Sequence, residues 1–177
     1  GSSANDKGKM KEILGKSNFE FNLIDLNLKD YLERIKVIKK NNSQIENNMK
    51  STMASIIKSF EISKNLNDLV YFVEDDYIHD VDCISEMISA YEKFSTIFED
   101  EIFIVPVDYP YLYQKNNSTN ILMGQKYHWR SVKESLLTFL TSKKMINKYF
   151  DDLIKMGEIE HEPYETILHN IYDKEKW

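Results

Sequence analysis

"LVYFVEDDYIHD", residues 69–80, sets an unbroken apolar run, Leu69 to Val73, directly against three acids, Glu74, Asp75 and Asp76. A short run of this kind, rich in residues that suit strands, predicts a central strand covered on both faces. The acids begin where that strand should stop, and in open α/β sheets ligands bind at the carboxyl ends of strands. If the backbone stays extended there, Glu74 and Asp76 point to one side and Asp75 to the other. Close carboxylates either raise each other's pKa or take up a cation, and a hard divalent ion with oxygen ligands removes the repulsion. Mg2+ or Mn2+ is the natural ion. Held by one or two carboxylates, it completes its shell with water and substrate phosphate, which points to a diphosphate-bearing substrate. The plainer alternative, a helix cap or solvated turn, has equal weight on spacing alone.

Working outward, FEFNLIDLNL (19–28) and RIKVIK (34–39) alternate apolar and polar positions and read as strands. The Asn-rich stretch 41–48 leads into a helix with Met49, Met53, Ile56, Ile57 and Phe60 on one face. After the acidic turn, Ile84, Met87, Ile88, Tyr91, Phe94 and Phe98 recur at helical spacing, with Asp80 or Asp82 as the cap. EIFIVPV (101–107) reads as a buried strand ending at Asp108. ILMGQKYHWR and SLLTFLT (135–141) read as two further strands after a polar loop over 114–120. Ser142 caps a helix that stops at Gly157, and Pro163 suits the first position of a final helix. The expected fold class is α/β: one layered domain over residues 11–177, with residues 1–10 a tag remnant or disordered tail.

The chain has 177 residues, enough for one core. Its net charge of −6 argues against a nucleic-acid partner, which would need clustered Lys and Arg. No apolar stretch approaches the roughly 20 residues of a membrane span. A single cysteine, Cys83, gives neither an internal disulfide nor a thiolate zinc site, so a cytoplasmic location is expected.

The block VYFVEDDYIHD strongly resembles the aspartate-rich, DXD-like motif of GT-A-type glycosyltransferases, especially bacterial relatives of inverting family 2. Three weaker blocks follow the same order: Asn47-Asn48 before the amphipathic helix, HWR (128–130) with Ser131 and LLTFLTSKKM, and HEPYETILHNIY. The resemblance covers roughly residues 45–172. It implies a GT-A-like α/β/α domain with a mixed central sheet that binds a nucleotide-sugar donor through a divalent cation. Hexosyl or related transfer would go to the hydroxyl of a glycan or lipid-linked glycan acceptor, in bacterial surface polysaccharide synthesis peripheral to the cytoplasmic membrane.

Carried onto this chain, Asp76 becomes the metal ligand, with Asp75 assisting and Glu74 near the donor's ribose or sugar. Since a metal-bound carboxylate is a poor base, the proton acceptor should lie elsewhere: Glu162 or Glu165, at the start of the last helix, or Asp108 at a strand end. Acids in a first turn also simply complement the helix dipole. Trp129 could stack on a sugar or base and Arg130 could pair with phosphate, although core packing and an internal ion pair serve those residues equally well. His79 and His161 are weaker metal candidates.

The resemblance also implies a strand, helix and second strand before the acidic turn, for which residues 19–39 have little room. Either 29–40 is a helix, with Asp25 as the nucleotide-side acid, or the domain is shortened at one or both ends. A non-catalytic GT-A-like module that depends on a partner domain or self-association is the alternative function. Metal-dependent phosphoester hydrolysis lacks a second acidic cluster.

Overall fold

The centre of the sheet is β5, Phe139–Ser142, and the 69–73 run is instead an edge strand, β1, Leu69–Phe72. The computed structural model describes residues 4–16, 20–38, 43–74, 76–116, 118–160 and 165–175. Both neighbours of β5 run antiparallel to it: β1 from Leu69↔Ser142 to Phe72↔Phe139, and β2, Phe103–Ile104, through Phe103↔Thr141 and Ile104↔Leu140. Every residue of β5 is buried, two of them polar. Thr141 tolerates this because its hydroxyl donates to the Ile102 carbonyl at 2.8 Å, and Ser142 because its Oγ accepts from the Met145 amide at 3.2 Å. A search for purely apolar runs therefore selects the edge strand over the true centre.

Alternation along the strands sends side chains to two helical layers. On one face Phe72, Phe103 and Phe139 meet α2, Ser43–Ser63, through Met53, Ile57 and Phe60. Their rings form a row with centroid spacings of 4.9 Å for Phe60–Phe72, 4.9 Å for Phe72–Phe139, 5.5 Å for Phe139–Phe103 and 5.3 Å for Phe103–Tyr172. On the other face Ile104 and Leu140 pack against Met87, Ala90, Tyr91 and Phe94 of α3, Cys83–Phe98. The protein is thus mixed α/β, with two small antiparallel sheets.

Several elements differ from the periodicity. Helix α2 starts at Ser43, so Asn47 and Asn48 lie within it rather than before it. The expected strand over 19–28 is irregular from 20 to 27: Phe21, Leu23 and Ile24 are exposed, and of the described residues there only Leu26 and Leu28 pack against the core. A 3-10 turn, Leu28–Asp30, follows, and the expected second strand reduces to one bridge, Lys36↔Ile159. No helix spans the described part of 29–40 either. The 101–107 strand narrows to Phe103–Ile104, and Pro106, without an N–H, cannot extend the ladder.

Ser142 caps α4, Lys143–Lys148, as expected, but the helix then breaks into α5, Phe150–Leu153, and α6, Lys155–Glu158. Gly157 is no stop signal; it lies inside α6, where a Cβ would sit 2.5 Å from the Met53 carbonyl oxygen and 2.5 Å from Ile57 Cγ1. The expected Pro163 start falls outside the described residues, and the last helix, α7, is Thr166–Tyr172. Ahead of these elements the backbone is helical over Ala4–Leu14.

Gly157→Ala should force α6 off α2 and lower stability by about 1–3 kcal/mol. Urea unfolding checks this, and an unchanged midpoint would contradict the close approach.

Candidate functional site

Because β1 and β2 both oppose β5, they run parallel to each other, and Tyr71 and Ile104 both lie opposite Leu140. Their chains leave at one edge of the sheet. After β1 the Glu74 amide donates to Thr138 Oγ1 at 3.4 Å, and Glu74 and Asp76 are exposed. The hydroxyls of Tyr77 and Tyr109, 2.9 Å apart, join the acidic turn to the segment after β2. Burial, then Tyr77, pushes the Tyr109 phenol up, and the charge of Glu74 adds to this. Next to the turn, the Tyr71 hydroxyl lies 2.5 Å from His79 Nε2, and the Tyr71 pKa is pushed up to about 12, by burial first.

In the segment after β2, Arg130 grips Asp108. Its Nε donates to both carboxylate oxygens at 3.0 and 3.1 Å, and Nη2 donates to Oδ1 at 2.6 Å. The Tyr113 hydroxyl donates to the same carboxylate, and the guanidinium lies 4.4 Å from the Tyr113 ring centroid. The guanidinium, ahead of every other cause, holds Asp108 below the usual carboxylate range. A carboxylate so stabilised is a weak proton acceptor, which counts against Asp108 as the base. Arg130, in turn, spends its paired donors on Asp108 rather than presenting them to phosphate.

Arg130 ends β4, His128–Arg130, which pairs with β3, Ile121–Met123. The 121–130 segment, expected as a single strand, folds back on itself around a buried acid. Glu86, on α3 and 3% exposed, accepts from the amides of Gln125 at 3.0 Å, Lys126 at 2.9 Å and Tyr127 at 3.4 Å, and from Trp129 Nε1 at 3.1 Å. Burial alone would raise its pKa; the Trp129 and amide donors outweigh that and hold it low. Gly124 makes the fit possible, since a Cβ there would lie 2.2 Å from Glu86 Oε1. Trp129 is consequently held in place: half-buried, with its indole N–H on Glu86 and its ring edge on Phe94 at 6.4 Å between centroids.

Glu86 was not among the expected site residues. Its signal was an acid flanked by Cys83, Met87 and Ala90 on the apolar face of α3, together with a glycine in the turn of 121–130.

Of the other expected site residues, Asp75, Glu162 and His161 lie outside the described residues. Asp25 is exposed in the irregular stretch before the 3-10 turn and ends no strand. Glu165 is half-buried in front of α7, and its charge helps raise the Tyr111 phenol, after burial and Glu134. Among the described residues no three of His, Cys, Asp or Glu converge as a metal cage. No described helix is long and apolar enough to cross a membrane. A cavity of about 420 Å³ lies along β2, between α3 and the β3–β4 hairpin. No protein family, curated protein or solved structure matches this chain.

Glu86→Gln should cost about 1–3 kcal/mol at neutral pH, because the amide cannot accept from all four donors. Since Glu86 titrates lower folded than unfolded, its contribution is full above about pH 4.3 and is lost as pH falls through its folded pKa. The parent's stability advantage over Glu86→Gln should therefore shrink on acidification below that point. Chemical unfolding at pH 7 and pH 3 measures the difference, and a constant gap would contradict the ionised cradle.

Proposed function

We propose that this chain is a divalent-metal-dependent glycosyltransferase domain. It moves a sugar from a nucleotide-sugar donor to a glycan or lipid-linked glycan hydroxyl, with inversion, in bacterial surface polysaccharide synthesis. The observation that carries the reading is the acidic turn at the carboxyl end of β1, joined through Tyr77 and Tyr109 to the end of β2. Glu74 and Asp76 are exposed, so they suit Mg2+ or Mn2+ held by few protein oxygens and finished by water and phosphate better than an all-protein cage. Asp75 between them would assist. Such an ion, when bound, offsets the charge on the departing nucleoside diphosphate.

The acceptor proton needs a base other than these carboxylates. With Asp108 committed to Arg130, Glu165 and Glu162 are the stronger candidates, and Glu165 already lies within electrostatic range of Tyr111. The shared edge also fits one displacement step, because donor and acceptor can approach from the ends of β1 and β2, the two strands that flank β5.

Thermal unfolding with a panel of nucleoside diphosphates, each with and without Mn2+, tests the reading. At about 100 times Kd the pair of ligands should stabilise the chain by about 2.7 kcal/mol, a rise on the order of 5–10 °C. Asp76→Asn should abolish the metal-dependent part. Stabilisation by Mn2+ alone would favour a hydrolase, and none at all would favour a binding module.

A further inference from the structure

Every residue from Ile102 to Asp108 lines the cavity beside β2. Among the described residues β2 pairs only with β5, so a space touched by Phe103, Ile104 and the irregular segment after them runs along the unpaired side of the strand and its continuation. The hairpin closes its far side with Leu122 and Trp129, and α3 contributes Phe94 and Phe98. At about 420 Å³ it has the capacity of a small-molecule site, for which roughly 300–1,000 Å³ is usual.

Charge decides which kind of molecule fits. Aside from His128, the titrating groups of opposite sign in the lining are Asp108 and Arg130, and they neutralise each other. A diphosphate could be met there only by breaking that pair, whereas a neutral hydroxyl can donate to the carboxylate and accept from the guanidinium without separating them. Asp108 is exposed, so the pair stands at the solvent end, on the same sheet edge as the acidic turn; Asn120, His128 and Ser131 add neutral polar groups to the lining, and the remainder is mostly aromatic and aliphatic.

We propose that this cavity binds a neutral amphipathic glycoside or alcohol, its apolar aglycone beneath the hairpin and its hydroxylated end on the Asp108–Arg130 pair. The assignment of that ligand as the acceptor rests on the transferase reading; the binding itself does not. The site is distinct in chemistry from the acidic turn: one takes a charged diphosphate with a cation, the other an uncharged ligand.

The test needs neither metal nor nucleotide, so its failure leaves the transferase reading standing, and the reverse also holds. The chain has two tryptophans, and in a Trp177→Phe background Trp129 is the only reporter. Titration with n-octyl β-glucoside below its micellar threshold should give a saturable change in emission. Glucose, which lacks the apolar part, and octanoate, which is anionic, should bind at least about tenfold more weakly. Val107→Phe should fill the cavity and weaken glycoside binding by a similar factor while far-UV circular dichroism stays unchanged. If that variant does not fold, Val132→Phe fills it from the segment after β4. An absent or non-saturable response, equal binding of glucose or octanoate, or undiminished binding by a folded filled variant would each overturn the proposal.

Discussion

The aromatic row through Phe139 fixes everything else at the sheet edge. Phe139 is fully buried between Phe72 of β1 and Phe103 of β2, and the row continues into Phe60 of α2 and Tyr172 of α7. Ring pairs of this geometry contribute about 0.5–1.5 kcal/mol each beyond their buried area. Their larger effect is positional. A one-residue slip of β1 against β5 would turn Phe72 to the opposite layer, so the register that packs the rings also sets how far β1 extends. It thereby delivers Glu74 to Thr138 and Tyr77 to Tyr109.

A second constraint is electrostatic. The hairpin buries little of its apolar surface: Ile121 and Met123 are exposed, and Leu122 and Trp129 are only half-buried. A pair of strands this short is not independently stable in water. The Glu86 carboxylate replaces the missing third strand, gathering three turn amides and the Trp129 indole onto α3. Arg130, at the end of β4, then reaches Asp108 in the segment after β2. Removing Glu86 would act on the Asp108–Arg130 pair without either residue being touched, a coupling that runs from α3 through the turn and along β4.

Much of this was legible in the residues. The helix bearing Met53, Ile57 and Phe60, the helix after Asp82, the strand ending at the acids and the Ser142 cap all follow from periodicity or side-chain chemistry. What failed did so for physical causes. The alternation of 19–28 makes no strand because, of its described residues, only Leu26 and Leu28 reach the core, and the central place of the 135–141 strand was hidden because Thr141 and Ser142 satisfy their hydroxyls internally. Gly157 looked like a terminator because sequence cannot distinguish a glycine needed for conformation from one needed for close approach. At the site, Asp108, Trp129 and Arg130 were picked out individually, but their partners were not. Ion pairing across 22 residues, and a carboxylate reaching a turn about 40 residues away, leave no periodic trace.

The two chemistries proposed for the edge depend on being kept apart. Acids left together at the end of β1 repel one another unless a cation joins them, whereas Asp108 is already neutralised by a guanidinium that also rests on Tyr113. Had Arg130 been free, it would have offered the apolar cavity a positive charge and drawn an anionic group into it. Had Asp108 been free, it would have added to the negative charge of the neighbouring turn. Pairing them cancels both tendencies, and the bidentate geometry keeps the pair oriented while its remaining edges stay available for hydrogen bonding. One sheet edge can in this way present a charge-demanding turn beside a charge-indifferent cavity, with the Tyr77–Tyr109 contact as the seam between them.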